Sequence, residues 1–207
     1  MGVIKQLRGC SRFFGAEIIE AEDGTISYGT PFNVGPVKSI SRTVEEASEE
    51  VWADNELQYE TDGGKAIART FEVTNLLPEI EAKLTGQDVI NISETVKGYA
   101  TPAFANKPHF AFGYALHDGD PDNPSEVVWA FRGRVASISK ASSTIQRNDT
   151  SSTGRTIEIN FFSPKNKFTT TDKKNLDFNV PVTPDFDFED WFKQVVTPDN
   201  ASTVLGV

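Results

Sequence analysis

The sequence predicts a mainly β protein, an antiparallel β-sandwich or barrel with one short flanking helix, extended loops and a C-terminal helix. Three observations predict it. Apolar residues recur with a period of two in most of the strongly patterned stretches, Gly-, Asp- and Ser-rich turn signals separate those stretches, and only two segments keep a helical period. Few helices among many strands leave no room for the β-α-β alternation of a parallel sheet.

The clearest strand is 109–117. Phe110, Phe112, Tyr114 and Leu116 fall on one face, and His109, Ala111, Gly113, Ala115 and His117 on the other. In 127–138, Val127, Trp129, Phe131 and Val135 alternate with Val128, Ala130, Arg132, Arg134 and Ile138. In 156–161, Ile157, Ile159 and Phe161 share a face, and in 67–73 Ile67, Phe71 and Val73 do so, with Arg69 interrupting the apolar side. Shorter candidates are 13–20, 25–28, 36–43, 47–54 and 88–93. Asp62-Gly63-Gly64-Lys65 reads as a hairpin joining the strands on either side of it. Pro78 suits a first helical position and Gly86 a C-terminal cap, with Ile80 and Leu84 four apart between them. Near the end, Phe188, Trp191, Phe192 and Val195 follow the spacing of an amphipathic helix with Asp187 as its N-cap, and this stripe is expected to pack on the rest of the protein. We therefore expect a β domain over 1–175 with an N-terminal arm, and a C-terminal extension over 176–207 carrying the short helix.

Composition narrows the function. The 207 residues carry a net charge of −10, against the basic footprint that phosphate binding requires. A single cysteine, Cys10, permits no intrachain disulfide. The N-terminal residues lack the apolar core of a signal peptide, and no apolar run reaches the roughly 18 residues of a membrane span.

Chemistry is sparse. His109 and His117 are eight residues apart on one strand, about 26 Å, too far to share a metal. Asp118, Asp120 and Asp122 resemble the start of a calcium loop, but Asn123 replaces its glycine and Trp129 its closing glutamate, so a solvated turn is expected. No nucleophile elbow or phosphate loop is present. We expect no catalytic residues, no metal and no cofactor. Between Arg42 and Lys65 there are eight acids and no base: Glu45, Glu46, Glu49, Glu50, Asp54, Glu56, Glu60 and Asp62. Such a span reads as a solvated strand and loop, as a charge-complementary contact, or as an anionic wall facing a channel.

Several segments, in order, resemble a known family. Val51-Trp52-Ala53-Asp54-Asn55-Glu56 follows a Glu-rich strand; Phe71 to Glu79 runs from a strand into a Leu-Pro-started helix. Pro108 to Tyr114 and Val128 to Val135 form a central hairpin with a basic-Gly-basic-Val close, and Arg155 to Phe161 is a last sheet strand. Together, over about 14–168, they resemble the major tail proteins that build the tail tubes of siphophages. The resemblance implies a virion protein, assembled in the host cytoplasm, whose hexameric rings stack into a tube. Its implied partners are further copies of itself, the tape-measure protein and the tail terminator and distal tail proteins, with DNA crossing the lumen without specific binding and no membrane contact. It also favours the channel reading for part of the acidic span, namely Glu45, Glu46, Glu49 and Glu50. The rival reading is a carbohydrate-binding β-sandwich module for host-surface recognition, with Trp52 and Trp129 as stacking platforms.

Overall fold

The computed structural model describes residues 9–22, 25–45, 48–53, 56–62, 66–103, 107–120, 122–140, 154–183, 186 and 188–206. The elements, in chain order, begin with β1 (Gly9–Glu20), β2 (Ile26–Tyr28), β3 (Phe32–Gly35), β4 (Val37–Glu45), β5 (Ser48–Ala53), β6 (Glu56–Asp62) and β7 (Ala66–Val73). They continue with α1 (Pro78–Thr85), β8 (Asp88–Asn91), β9 (Lys97–Ala100), β10 (Phe110–His117), β11 (Glu126–Lys140), β12 (Arg155–Phe161), β13 (Asp177–Pro181), α2 (Phe188–Trp191) and α3 (Ala201–Leu205).

The protein is mainly antiparallel β. Nine strands form one sheet in the order β2-β1-β10-β11-β12-β7-β4, with β13 added to β11 and β3 to β1. Pro36 divides one extended segment into β3 and β4. The first half pairs with β1 and the second with β7, so this segment ties the two ends of the run together and closes the sheet into a barrel. Gly35 makes the bend possible. Its φ is +157°, and a Cβ there would lie 2.4 Å from the Asn75 carbonyl oxygen.

Closure gives each strand an inner and an outer face. The inner faces of β1, β7, β10 and β12 supply Phe13, Phe71, Phe110, Phe112 and Ile159 to one cluster. Phe13 and Phe71 stack there with ring centroids 4.2 Å apart. The outer faces of β1, β10 and β11 supply Ala16, Ala111, Ala115, Val127, Trp129 and Phe131 to a second cluster, which the C-terminal segment covers with Phe168, Trp191, Phe192, Val195 and Val196. The small side chains of β10 leave room for this. A Cβ on Gly113 would approach the Trp129 ring to 2.9 Å. α1 starts at Pro78 and ends at Gly86 in the left-handed conformation, as the sequence predicts. Leu76 and Leu84 join the inner cluster, and Glu81 is ion-paired to Arg155 at the start of β12, so α1 covers that end of the barrel.

Three expectations need correction. The strand face holding Val127, Trp129 and Phe131 does not continue to Val135. The β10–β11 register shifts between Phe112↔Ala130 and Phe110↔Gly133, and this bulge turns Val135 to the inner cluster. The hairpin at Asp62-Gly63-Gly64-Lys65 does not pair the strands flanking it. β7 has β4 on one edge and β12 on the other, which leaves no edge for β6. Instead β7 pairs with β4 from Val37↔Val73 to Glu45↔Ala66, and β6 pairs with β5 in a separate ribbon from Ser48↔Asp62 to Ala53↔Glu56. Finally, the helix expected through Val195 is the single turn α2. Phe192 lies in the turn that follows, its N–H donating to the Glu189 carbonyl at 3.3 Å, and Val195 lies beyond that turn; both are buried. The Asp187 cap lies outside the described residues.

Candidate functional site

The described acids of the span lie at the end of β4 (Glu45), on β5 (Glu49, Glu50) and on β6 (Glu56, Glu60, Asp62). β5 and β6 form a two-stranded sheet and pair with no other strand among the described residues. Glu45 closes β4 opposite Ala66, Glu49 is opposite Thr61, and Glu50 is opposite Glu60. Glu46 lies outside the described residues. A lone ribbon of two strands is marginal in water, so an arm of this kind gains stability from contact with something else.

A second ribbon, β8–β9, is also separate from the main sheet. It presents Val89, Ile90, Ile92 and Val96, each at least half exposed. Lys97 on this ribbon donates to Glu79 of α1 at 2.7 Å. Val89 and Ile90 are neighbours on β8 and point to opposite faces, so this ribbon exposes large apolar side chains on both, as surfaces reserved for contacts do. The sequence reading missed this surface, although Val89, Ile90, Ile92 and Val96 lie close enough together to have signalled it.

The C-terminal stripe is embedded. Trp191, Phe192 and Val195 are buried and Phe188 partly so. Trp129 donates its indole N–H to the Trp191 carbonyl at 2.9 Å, and the Trp191 ring lies 5.7 Å from that of Phe178. Asp199 fastens the segment further on by accepting the backbone N–H groups of Thr170 at 2.7 Å and Thr169 at 2.9 Å. Those bonds, that from Thr170 first, hold its carboxyl below the usual range. Because Trp129 is fully buried, it cannot act as a sugar-stacking platform. Trp52 sits on β5 opposite Leu57.

Each reactive side chain has a structural role. His117 is buried, with Nδ1 2.8 Å from the Asp120 carbonyl and Nε2 2.7 Å from the Ser11 hydroxyl. A carbonyl only accepts, so Nδ1 carries a proton and donates to Asp120. His109 is lowered from its ordinary pKa, by burial first and then by Arg132, Arg134 and Lys165. Burial pushes the Cys10 thiol up, away from the reactive thiolate. The Asp120 carboxylate accepts from the Asn123 side chain and the Asp122 backbone, both at 2.9 Å, so the loop organises itself as a turn. Among the described residues no group of three or more His, Cys, Asp or Glu side chains could hold a metal, and no helix is long and apolar enough to cross a membrane.

No family profile and no curated protein matches the sequence. Three solved structures share distant similarity. The tube-terminating cap of the anti-feeding prophage is 9% identical, with a TM-score of 0.43 over 88% of this chain and 95% of that one. The sheath–tube complex of the PVC extracellular contractile injection system, in its extended state, has a chain 8% identical, with a TM-score of 0.39 over 83% of this chain and 90% of that one. The anti-feeding prophage baseplate has one 9% identical, with a TM-score of 0.33 over 83% and 93%. Similarity this distant assigns no family.

Proposed function

We propose that this chain is a virion structural protein without catalytic activity, the subunit of a siphophage tail tube. The observation that supports the reading is the pair of open-edged ribbons, β5–β6 and β8–β9, the second with its exposed apolar side chains. Open strand edges are an aggregation liability in a protein that stays alone, and an asset in one that closes rings and stacks them. The order of sequence segments that resembles the major tail proteins supports the same assignment. On this reading hexameric rings stack around a tape-measure protein, tail terminator and distal tail proteins meet the two ends, and DNA leaves through the lumen. Glu45, Glu46, Glu49 and Glu50 then line or border that lumen, where an anionic wall repels a duplex bearing one charge per about 1.7 Å. β13 and the residues after it act as a C-terminal extension of the 1–175 domain.

Electron microscopy and sedimentation test this together. The wild-type protein forms rings or tubes, while a double substitution Ile90→Lys and Ile92→Lys keeps the far-UV spectrum and stays dispersed. Unimpaired tubes from the double variant, or a wild type that remains monomeric with its assembly initiator present, would overturn the reading. Replacing Glu45, Glu46, Glu49 and Glu50 with Lys leaves the fold intact and slows DNA ejection from assembled particles. Unchanged ejection kinetics would remove these acids from the lumen.

A further inference from the structure

Among the described residues, none fills the end of the barrel away from α1. A cavity of about 540 Å³ opens there, and Cys10, Ile40, Arg42, Arg69, Tyr114 and Asp177 are among its lining residues. Arg69 projects from the inner face of β7, where the sequence pattern demands an apolar residue, and is 3% exposed. Its guanidinium carbon is 4.8 Å from the centre of the Phe161 ring and 5.5 Å from that of Tyr114. Nη2 donates to Asp177 of β13, while Nε and Nη1 have no hydrogen-bond partner. Arg42 stands directly opposite Arg69 in the β4–β7 register and is exposed. Lys38 also lines the cavity, and among the described residues the acids that do so are Asp177 and Glu126. Glu126 already accepts from the Asn179 amide.

This arrangement is costly when empty. Like charges directly across a ladder destabilise it, and a buried guanidinium with unmet donors forfeits their hydration. Lys38 is ion-paired to Glu72, which leaves Arg42 and Arg69 facing Asp177 and Glu126 in the described lining, in a chain whose net charge is −10. A carboxylate brings one negative charge to the two arginines, whereas a phosphate dianion would bring two beside Asp177 and Glu126. The apolar part of the lining, from Ile40, Leu116, Val128 and Tyr114, suits a carbon skeleton behind the charge. Residues 1–8, which lead into Gly9 at the cavity edge, contain Lys5 and Arg8 and no acid.

We propose that the cavity is a carboxylate-binding site. Arg42 contacts the carboxylate through its planar pair of donors. Arg69 supplies fixed positive charge from beneath, held in place by Asp177 and by the two rings. The carboxylate belongs either to a small molecule or to a side chain of a second copy, and the geometry of recognition is the same for both.

The test uses the full chain with sodium benzoate as the probe, benzamide as its neutral isostere, and ionic strength held constant with sodium chloride. Benzoate raises the thermal midpoint with the logarithm of its concentration above the dissociation constant, by roughly 3 °C at ten times that constant. Benzamide does not. Arg42→Gln abolishes the rise and Arg42→Lys restores part of it, both folding normally because Arg42 is exposed. Where the natural carboxylate comes from a second copy, benzoate also slows assembly of the wild type and Arg42→Gln assembles poorly. Where it is a free molecule, the benzoate-induced rise persists and assembly is untouched. No benzoate-induced rise in the wild type, or equal rises with benzamide or in Arg42→Gln, would overturn the proposal.

Discussion

Truncating Trp191 to alanine removes the largest side chain joining the C-terminal segment to the barrel. Trp191 is fully buried, against the rings of Phe178 and Phe186 and within the outer cluster. A buried tryptophan removes roughly 150–250 Å² from water, about 4–6 kcal/mol at ~25 cal/mol per Å². Partial collapse of the cavity brings the expected loss to about 3–5 kcal/mol. For a protein of this size that lowers the thermal midpoint by roughly 6–20 °C. Trp191→Phe separates ring packing from polarity. The indole N–H of Trp191 is buried without a partner, so phenylalanine keeps most of the packing and discards an unmet donor, and the expected loss is ~1 kcal/mol or less. Urea and thermal unfolding followed by far-UV circular dichroism measure both variants. A Trp191→Ala midpoint within about 2 °C of wild type refutes the packing argument. A phenylalanine variant as unstable as the alanine variant refutes the argument about the orphaned donor.

Other perturbations have equally definite outcomes. Gly133→Ala places a Cβ 2.8 Å from both Ile159 and Phe161 and 2.9 Å from Phe112, and costs about 1–3 kcal/mol in the same assay through overpacking. Asp199 has its carboxyl pKa lowered on folding, so its contribution to stability is complete above the unfolded value of about 3.9 and fades as pH falls through the folded one. Asp199→Asn therefore lowers the urea midpoint at pH 7 and narrows its gap to wild type near pH 3. His109 has its pKa lowered below about 6.5, so the unfolded chain takes up the proton first and stability declines as pH drops through that region. His109→Gln should flatten the decline between pH 7 and 5, and a slope identical to wild type would exclude His109 as its source.

Period-two patterning located most of the barrel because a closed sheet with a filled interior forces alternation on its strands. The 110–117 strand is the clearest case: Phe110, Phe112 and Tyr114 enter the inner cluster, while Ala111 and Ala115 lie under the C-terminal segment. Local patterns carry no information about events between strands. The bulge that reverses Val135, the second edge of β7 that excludes β6, and the pairing of β13 with β11 all depend on partners far away in sequence. The candidate sites divide in the same way. Arg69 is legible as a cation interrupting an apolar face, but its meeting with Asp177, 108 positions later, is not. In the stripe Phe188, Trp191, Phe192 and Val195, the helical period describes only Phe188 and Trp191 within α2, while Phe192 and Val195 are buried beyond its end.

The β5–β6 ribbon also has a mechanical consequence. β5 follows β4 in the chain and β6 precedes β7, so a pull on the ribbon enters the barrel at Glu45 and Ala66, the paired ends of the β4–β7 ladder. β7 is laced to β4 and β12 along its length, and β4 passes through Pro36 into β3, which is laced to β1. Tension is therefore carried in shear, by many hydrogen bonds strained side by side, instead of peeling them apart one at a time. The covalent run through Pro36 delivers part of the load to the opposite side of the barrel. An attachment made through the arm loads the whole barrel wall, and the barrel yields only when several ladders slip together.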